Sequence, residues 1–382
     1  MKFKTFFSII SFALITNCWA KLDPKTLYLH WGKAELVHSP FHSEITTSTE
    51  DNYMLIQPIK GMKLNLKREN FYFQFRLGSF QNFVGMEIRF SEKRGDKNYY
   101  SYSLPYFSDA EFNPYKENEW LNYGISLANL KLVGKEPDKI NNVSFFLFTN
   151  KKTLKFGLKK IWKKKKPKEG VVSITFDDGY DSQLVAAKLT NKFRLKATAY
   201  IMPRDIGKFN LMDLQQLKQM KGWGWDLQSH HSYPLTIMNE SERKIEFNFG
   251  LNFLNKHRLA SKTQHLAYPL GKHNERLIRQ VKKYFKTARI AGGGIETLPP
   301  ADLYRIRTYN VMANTTLKEL KEKILDAKNQ GQWLILMFHY MKKDAKKDLE
   351  YSPENFRLMA EFLKQKKIKV LTIDEAYREY LK

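Results

Sequence analysis

Two adjacent carboxylates, Asp177 and Asp178, end an apolar run from Val171 to Phe176 and are followed at once by Gly179. Consecutive strand side chains point to opposite faces, but where a strand ends and the chain turns both carboxylates can reach one pocket. One could then bind a metal ion while the other activates a water molecule. Asp-Asp-Gly is equally the composition of an ordinary turn after a buried strand, so the chemistry depends on what else shares the pocket. Further polar groups follow other candidate strands: His230 and His231, the turn Tyr268-Pro269-Leu270-Gly271, and His339.

The elements that must position these groups begin after Gly170, where strands alternate with amphipathic helices. The pattern predicts strands near 171–177, 196–202, 225–230, 263–269, 287–291, 304–311, 332–339 and 369–373. Helical patterns fall between most of them, among them 241–259, 274–285, 317–330 and 353–367. Seven or eight such units predict an irregular (β/α) barrel over residues 170–382. In a parallel barrel the carboxyl ends of the strands form one face, so Asp177, Asp178, His230, His231, the 268–271 turn and His339 are all expected there.

Residues 21–162 have a different rhythm. Short runs of alternating aromatic and polar residues, such as Phe71, Phe73 and Phe75 interleaved with Tyr72 and Gln74, predict half-buried strands of an all-β sandwich. Its later part, from Trp120 to Ile125 and Ile140 to Phe148, resembles the jelly-roll modules that serve as carbohydrate-binding domains. Aromatics there could stack on sugar rings or simply fill the core. The lysine run at 163–169, broken by Pro167, is expected to be a linker.

The barrel motifs together resemble the NodB-type polysaccharide deacetylases, also called family-four carbohydrate esterases. Thr175-Phe176-Asp177-Asp178-Gly179 is similar to the first motif of that family, Trp225 to His230 to the approach to its histidine motif, Ala267 to Gly271 to the third, and Leu336 to His339 to the last. The resemblance implies removal of acetyl groups from a glycan with one divalent metal, zinc first, with cobalt or nickel as alternatives. It implies Asp178 and His230 as metal ligands, Asp177 as general base and His339 as general acid. The backbone N–H of Leu270 would be an oxyanion donor, with Tyr268 and Pro269 shaping the pocket. Arg307 matches an arginine common in related sequences that could orient a carboxylate, and a surface arginine is the alternative.

One part of the pattern is broken. The family places a second metal-binding histidine four positions after the first, but Pro234 stands four after His230 and Leu235 four after His231. The adjacent pair His230-His231 could supply both ligands from a bent loop, although neighbouring side chains in regular structure diverge. A two-ligand site completed by water, or a changed metal, is the other active reading. The gap also sustains a second class of function, a catalytically silent deacetylase-like protein that binds glycans.

Composition bounds the partners. Lys2 and Lys4, the apolar stretch Phe6 to Ile15 and Cys18-Trp19-Ala20 read as a secretory signal over residues 1–20, with export to the periplasm or the extracellular space. Acylation of Cys18, as in a lipoprotein, is the alternative. No later run is long and apolar enough to predict a membrane span. Formal net charge is +26, yet residues 21–150 hold 16 basic and 15 acidic residues while 151–169 hold 10 and 1. Acetylated polysaccharide or peptidoglycan is the expected partner, an anionic envelope polymer suits the excess charge, and an exported chain is not expected to meet nucleic acid.

Overall fold

A computed structural model of the protein describes residues 27–31, 34–38, 42–47, 53–58, 63–104 and 117–382. The expected leader, with Cys18 and Ala20, lies outside the described residues. Among those described, no helix is long and apolar enough to cross a membrane.

The N-terminal half consists of two antiparallel sheets, of six and five strands, that share one apolar core. Strand Glu69–Leu77 shows how the sequence builds it: Phe71, Phe73, Phe75 and Leu77 alternate into that core. The opposite face of this strand is not solvated as the alternation predicts. Tyr72 is fully buried, stacked on Trp162 at 5.5 Å, and donates its hydroxyl to the Pro299 carbonyl at 2.6 Å. The barrel covers that face at Asn70 and Tyr72, so this part of the strand is buried on both sides.

The lysine run corrects the expected linker. Strand Lys155–Lys165 continues through it, pairing Lys163, Lys164 and Lys165 with Phe71, Asn70 and Glu69. The strand tolerates these like charges because two of them are compensated and Lys165 is exposed to solvent. Lys163 meets Glu69 at 3.0 Å, while the Lys164 ammonium lies over the Tyr72 ring. Only the few residues from Lys166 to Gly170 join the halves.

The C-terminal half is a nearly closed barrel of seven parallel strands. In chain order they are Val171–Phe176, Thr198–Ile201, Asp226–Ser229, His265–Ala267, Thr287–Gly293, Ile306–Asn310 and Gln332–Phe338. Their spatial order is third, second, first, seventh, sixth, fifth, fourth. The expected eighth strand at 369–373 does not form. Val370 makes one isolated bridge to Val172, and Thr372 then caps helix Ile373–Tyr380 by accepting from the Glu375 N–H. A short strand absent from the sequence reading, Glu296–Thr297, runs antiparallel to the seventh barrel strand.

No ladder joins the third and fourth strands. Side chains bridge them instead: the Gln228 carboxamide accepts from His265 N–H at 2.8 Å and donates to the Thr263 carbonyl at 3.2 Å, as a neighbouring strand would. At the upper end His230 Nδ1 donates to the Ala267 carbonyl at 3.0 Å. The first strand is buried at every position, as a central parallel strand must be.

Candidate active site

Asp177 and Asp178 follow directly on the first strand. Asp178 (φ +69°) and Gly179 (φ +80°) both take the left-handed conformation, which aspartate tolerates and glycine takes without cost. That reversal turns Asp178 back toward the rim that Asp177 faces. Asp177 is 5% exposed and its N–H donates to the Phe338 carbonyl at 3.0 Å, tying the first strand to the seventh.

His230 leaves the end of the third strand and brings Nε2 to 3.4 Å from Asp178 Oδ1. Its other ring nitrogen donates to the Ala267 carbonyl, so that Nε2 is the ring atom facing Asp178. Burial works to raise the Asp178 carboxyl, but the hydrogen bond and charge of His230, joined by His339 and Tyr180, outweigh it and hold the group below its ordinary range. Burial conversely works to lower His230, and its hydrogen bond to Asp178 with the charges of both aspartates lifts it above the ordinary imidazole value. His339, after the seventh strand, places Nε2 4.0 Å from Asp177 Oδ2.

The structure thus brings Asp177, Asp178, His230 and His339 to one rim. His231 goes elsewhere. Its Nδ1 lies 3.8 Å from Glu246 Oε2 on helix Glu240–Lys256, its ring meets Phe247 edge-on at 5.7 Å, and its Nε2 is buried with no partner among the described residues. Successive side chains diverge at this position, and only His230 faces Asp178.

Two ligands each about 2.1 Å from one tetrahedral ion are themselves about 3.4 Å apart. The Asp178–His230 separation fits that requirement, and the carbonyl-anchored imidazole is the usual second support of a metal histidine. A third protein donor is missing: among the described residues no three His, Cys, Asp or Glu side chains converge as a metal-binding group. The residues therefore fit two of the donors that a divalent ion needs.

Tyr268, Pro269 and Leu270 also stand on this rim. The Pro269–Gly271 turn holds Leu270 at φ +54°, a costly backbone for a bulky residue, with its side chain about half exposed. Leu270 N–H has no acceptor among the described residues. Tyr268 is buried and stacks on His273 at 5.3 Å.

Arg307 is placed away from the rim. It forms a buried pair with Glu296 at 2.7 Å and donates to the Gly124 carbonyl at 3.1 Å, at the seam with the N-terminal sheets. The arginine that touches the carboxylate pair is Arg289, on the fifth strand and 2% exposed. It is ion-paired with Asp177 Oδ1, lies over the Tyr200 ring at 4.5 Å and touches Met337 Sδ at 3.2 Å. Gln183 was not anticipated either. Its buried amide donates to the carbonyls of both Asp177 (2.5 Å) and His339 (3.1 Å), fixing the backbone of the two together. A polar residue within an otherwise apolar run, Arg289 in Thr287–Gly293, is the signal that could have found the first.

Residues 164–288 match the family model described as polysaccharide deacetylase. This part of the chain is a polysaccharide deacetylase domain of NodB type. A curated relative of the deacetylase domain, provisionally named polysaccharide deacetylase YxkH, from Bacillus subtilis (strain 168), is 29% identical over 122 residues. The match takes in 31% of this chain and 43% of YxkH, so the alignment spans less than half of that relative. Among solved structures, the peptidoglycan deacetylase PdaC from Bacillus subtilis is 15% identical, with TM-score 0.39 over 55% of this chain and 91% of its own. The Bc1960 peptidoglycan N-acetylglucosamine deacetylase is 18% identical, with TM-score 0.41 over 56% and 91%. The deacetylase domain carries Asp177, Asp178, His230 and the 268–271 turn within its matched span, and His339 beyond it.

Proposed function

We propose that the protein hydrolyses acetyl groups from an N-acetylated cell-envelope glycan, such as peptidoglycan or poly-N-acetylglucosamine, with a divalent ion, zinc first. The observation that carries this reading is the pairing on one rim of Asp178 with His230 at 3.4 Å and of Asp177 with His339 at 4.0 Å. A divalent ion held by Asp178 and His230 would supply Lewis-acid activation of the water and of the acetyl carbonyl.

The chain's own residues do the rest. Asp177, held by Arg289 through Oδ1, presents Oδ2, 4.0 Å from His339 and beyond its hydrogen-bond reach, to take the proton of the attacking water. Leu270 N–H, unpaired and at the rim, donates to the oxygen that becomes negative as the acetyl carbon turns tetrahedral. When the C–N bond breaks, a protonated His339 gives its proton to the leaving sugar nitrogen.

Acetate release from N-acetylglucosamine oligomers and from peptidoglycan, with zinc or cobalt added, tests this. The wild type is expected to exceed an Asp177→Asn variant on at least one polymer. Equal rates on every polymer would favour the second reading, a silent deacetylase-like glycan binder, for which the lack of a third converging donor among the described residues is the specific support. The charged, then apolar, then small-residue order of residues 1–20 supports export, and the likeness of the sequence from Trp120 to Ile125 and from Ile140 to Phe148 to jelly-roll modules supports a carbohydrate-binding role for the N-terminal half.

A further inference from the structure

Away from the barrel rim, a cleft of about 1170 Å³ opens on the N-terminal half, between the residues before strand Glu69–Leu77, the 136–141 loop and the chain entering the barrel. Eight of its lining residues are Lys or Arg and three are Asp or Glu. This excess is local. The N-terminal segment 21–150 is almost balanced in charge, at 16 basic to 15 acidic residues.

Two of the lining cations are already compensated, Lys67 by Glu136 at 2.8 Å and Lys163 by Glu69 at 3.0 Å. Lys63, Arg68, Lys139, Lys165, Lys166 and Lys168 have no ion pair among the described residues. Five of these are exposed, with ammonium and guanidinium groups that can follow a flexible ligand. Lys166 differs: its Nζ is buried without a hydrogen-bond partner, so its charge is little screened and adds to the potential of the cleft floor. Burial lowers this ammonium to about 8, the direction expected of a cation that lacks a counter-charge.

We propose that this cleft binds an anionic polysaccharide, one whose repeating carboxylates or phosphates engage Lys63, Arg68, Lys139 and Lys168, separately from the barrel rim. Single-stranded nucleic acid offers the same phosphates, but its binding sites add several stacking aromatics, and this cleft has one, Tyr100. The inference does not depend on the deacetylase activity.

The test is titration of the full chain with polygalacturonate, with poly(glycerol phosphate), with a neutral N-acetylglucosamine oligomer and with a single-stranded oligonucleotide. At least one anionic glycan polymer should bind, and raising salt from about 50 to about 200 mM should weaken it about tenfold or more. Which polymer binds identifies the anion. The triple variant Arg68→Glu, Lys139→Glu, Lys168→Glu should weaken binding at least about tenfold. A triple variant of equal net charge on the outer barrel helices, Lys218→Glu, Lys244→Glu, Lys256→Glu, should stay within about twofold of wild type. Equal weakening by both variants, tighter binding of the oligonucleotide than of either polymer, or binding of the neutral oligomer alone would overturn the proposal. If the first triple variant fails to fold, Lys139→Glu alone carries the test and should weaken binding about threefold.

Discussion

Glu119 of the N-terminal half and Arg305 of the barrel form an ion pair at 2.9 Å across the seam between the two halves. The other Glu119 oxygen accepts the Glu275 N–H at 3.0 Å. Arg305 Nε in turn donates to His273 Nε2 at 3.2 Å, and His273 Nδ1 donates to the Gly271 carbonyl at 2.9 Å. A residue of the N-terminal half therefore stands three contacts from the strained turn that presents Leu270 N–H.

Glu119→Gln should loosen that turn without touching the carboxylates. We expect kcat to fall about threefold to tenfold with KM nearly unchanged, as when an interaction made in the transition state weakens. Stability should fall by about 1–3 kcal/mol, since Arg305 keeps Asp302 at 3.0 Å as a second partner. Steady-state kinetics and urea denaturation check both.

Arg289→Met should be more damaging than any change at Arg307 to turnover. It leaves the Asp177 carboxylate buried without its partner, at about 3–5 kcal/mol of stability, and lets Asp177 leave its orientation. Deacetylation should drop by about two orders of magnitude. Arg307→Met should destabilise the seam while the activity of the remaining folded protein stays close to wild type. Rates normalised to folded fraction separate the two.

Metal titration distinguishes the adjacent histidines. His231→Ala should leave metal stoichiometry and affinity unchanged, because its ring faces Glu246 and Phe247. Asp178→Ala should weaken binding by at least about a hundredfold. A sharp loss on His231→Ala would mean that the loop rearranges around the ion.

Glu246 sets a pH dependence of stability. The His231 imidazole beside it and the hydrogen-bonded Arg204 guanidinium push its carboxyl down to about 2, from an ordinary 4.5. A carboxyl depressed in the folded state stabilises fully above its unfolded value and loses that contribution as pH falls through the folded one. The stability gap between wild type and Glu246→Gln should therefore be constant from pH 7 to about 5 and shrink toward pH 2. Denaturant midpoints across that range measure it.

Gly170→Ala should not be tolerated. A Cβ there would overlap the backbone oxygens of Ala327 and Gln332, neither of which can move without breaking the start of the barrel. Soluble expression and the cooperativity of thermal unfolding report the outcome.

The rim was legible in the sequence because polar residues interrupt apolar runs at strand ends, and that pattern needs no knowledge of partners. Arg307 is the arginine to which the family resemblance points, and that resemblance offers no pointer to Arg289. The sequence does not reveal that Arg289 turns to Asp177 while Arg307 pairs with Glu296 at the seam. The lysine run misled for an electrostatic reason. Counting like charges along the chain ignores Glu69 and the Tyr72 ring, which reach it from a strand that is distant in sequence. The missing eighth strand reflects a cap: Thr372 satisfies the helix N-terminus, which ends extension after a single bridge.

His230 is both a candidate ligand and a rivet. With the third and fourth strands joined by no ladder, its Nδ1–H and the Gln228 carboxamide are what fasten one side of the barrel wall to the other. An alanine at 230 would open the wall at the same moment that it removed one of the two candidate donors, so lost activity in that variant says little about coordination. Asparagine or glutamine, which can keep a donor near the Ala267 carbonyl, would separate the fastener from the ligand.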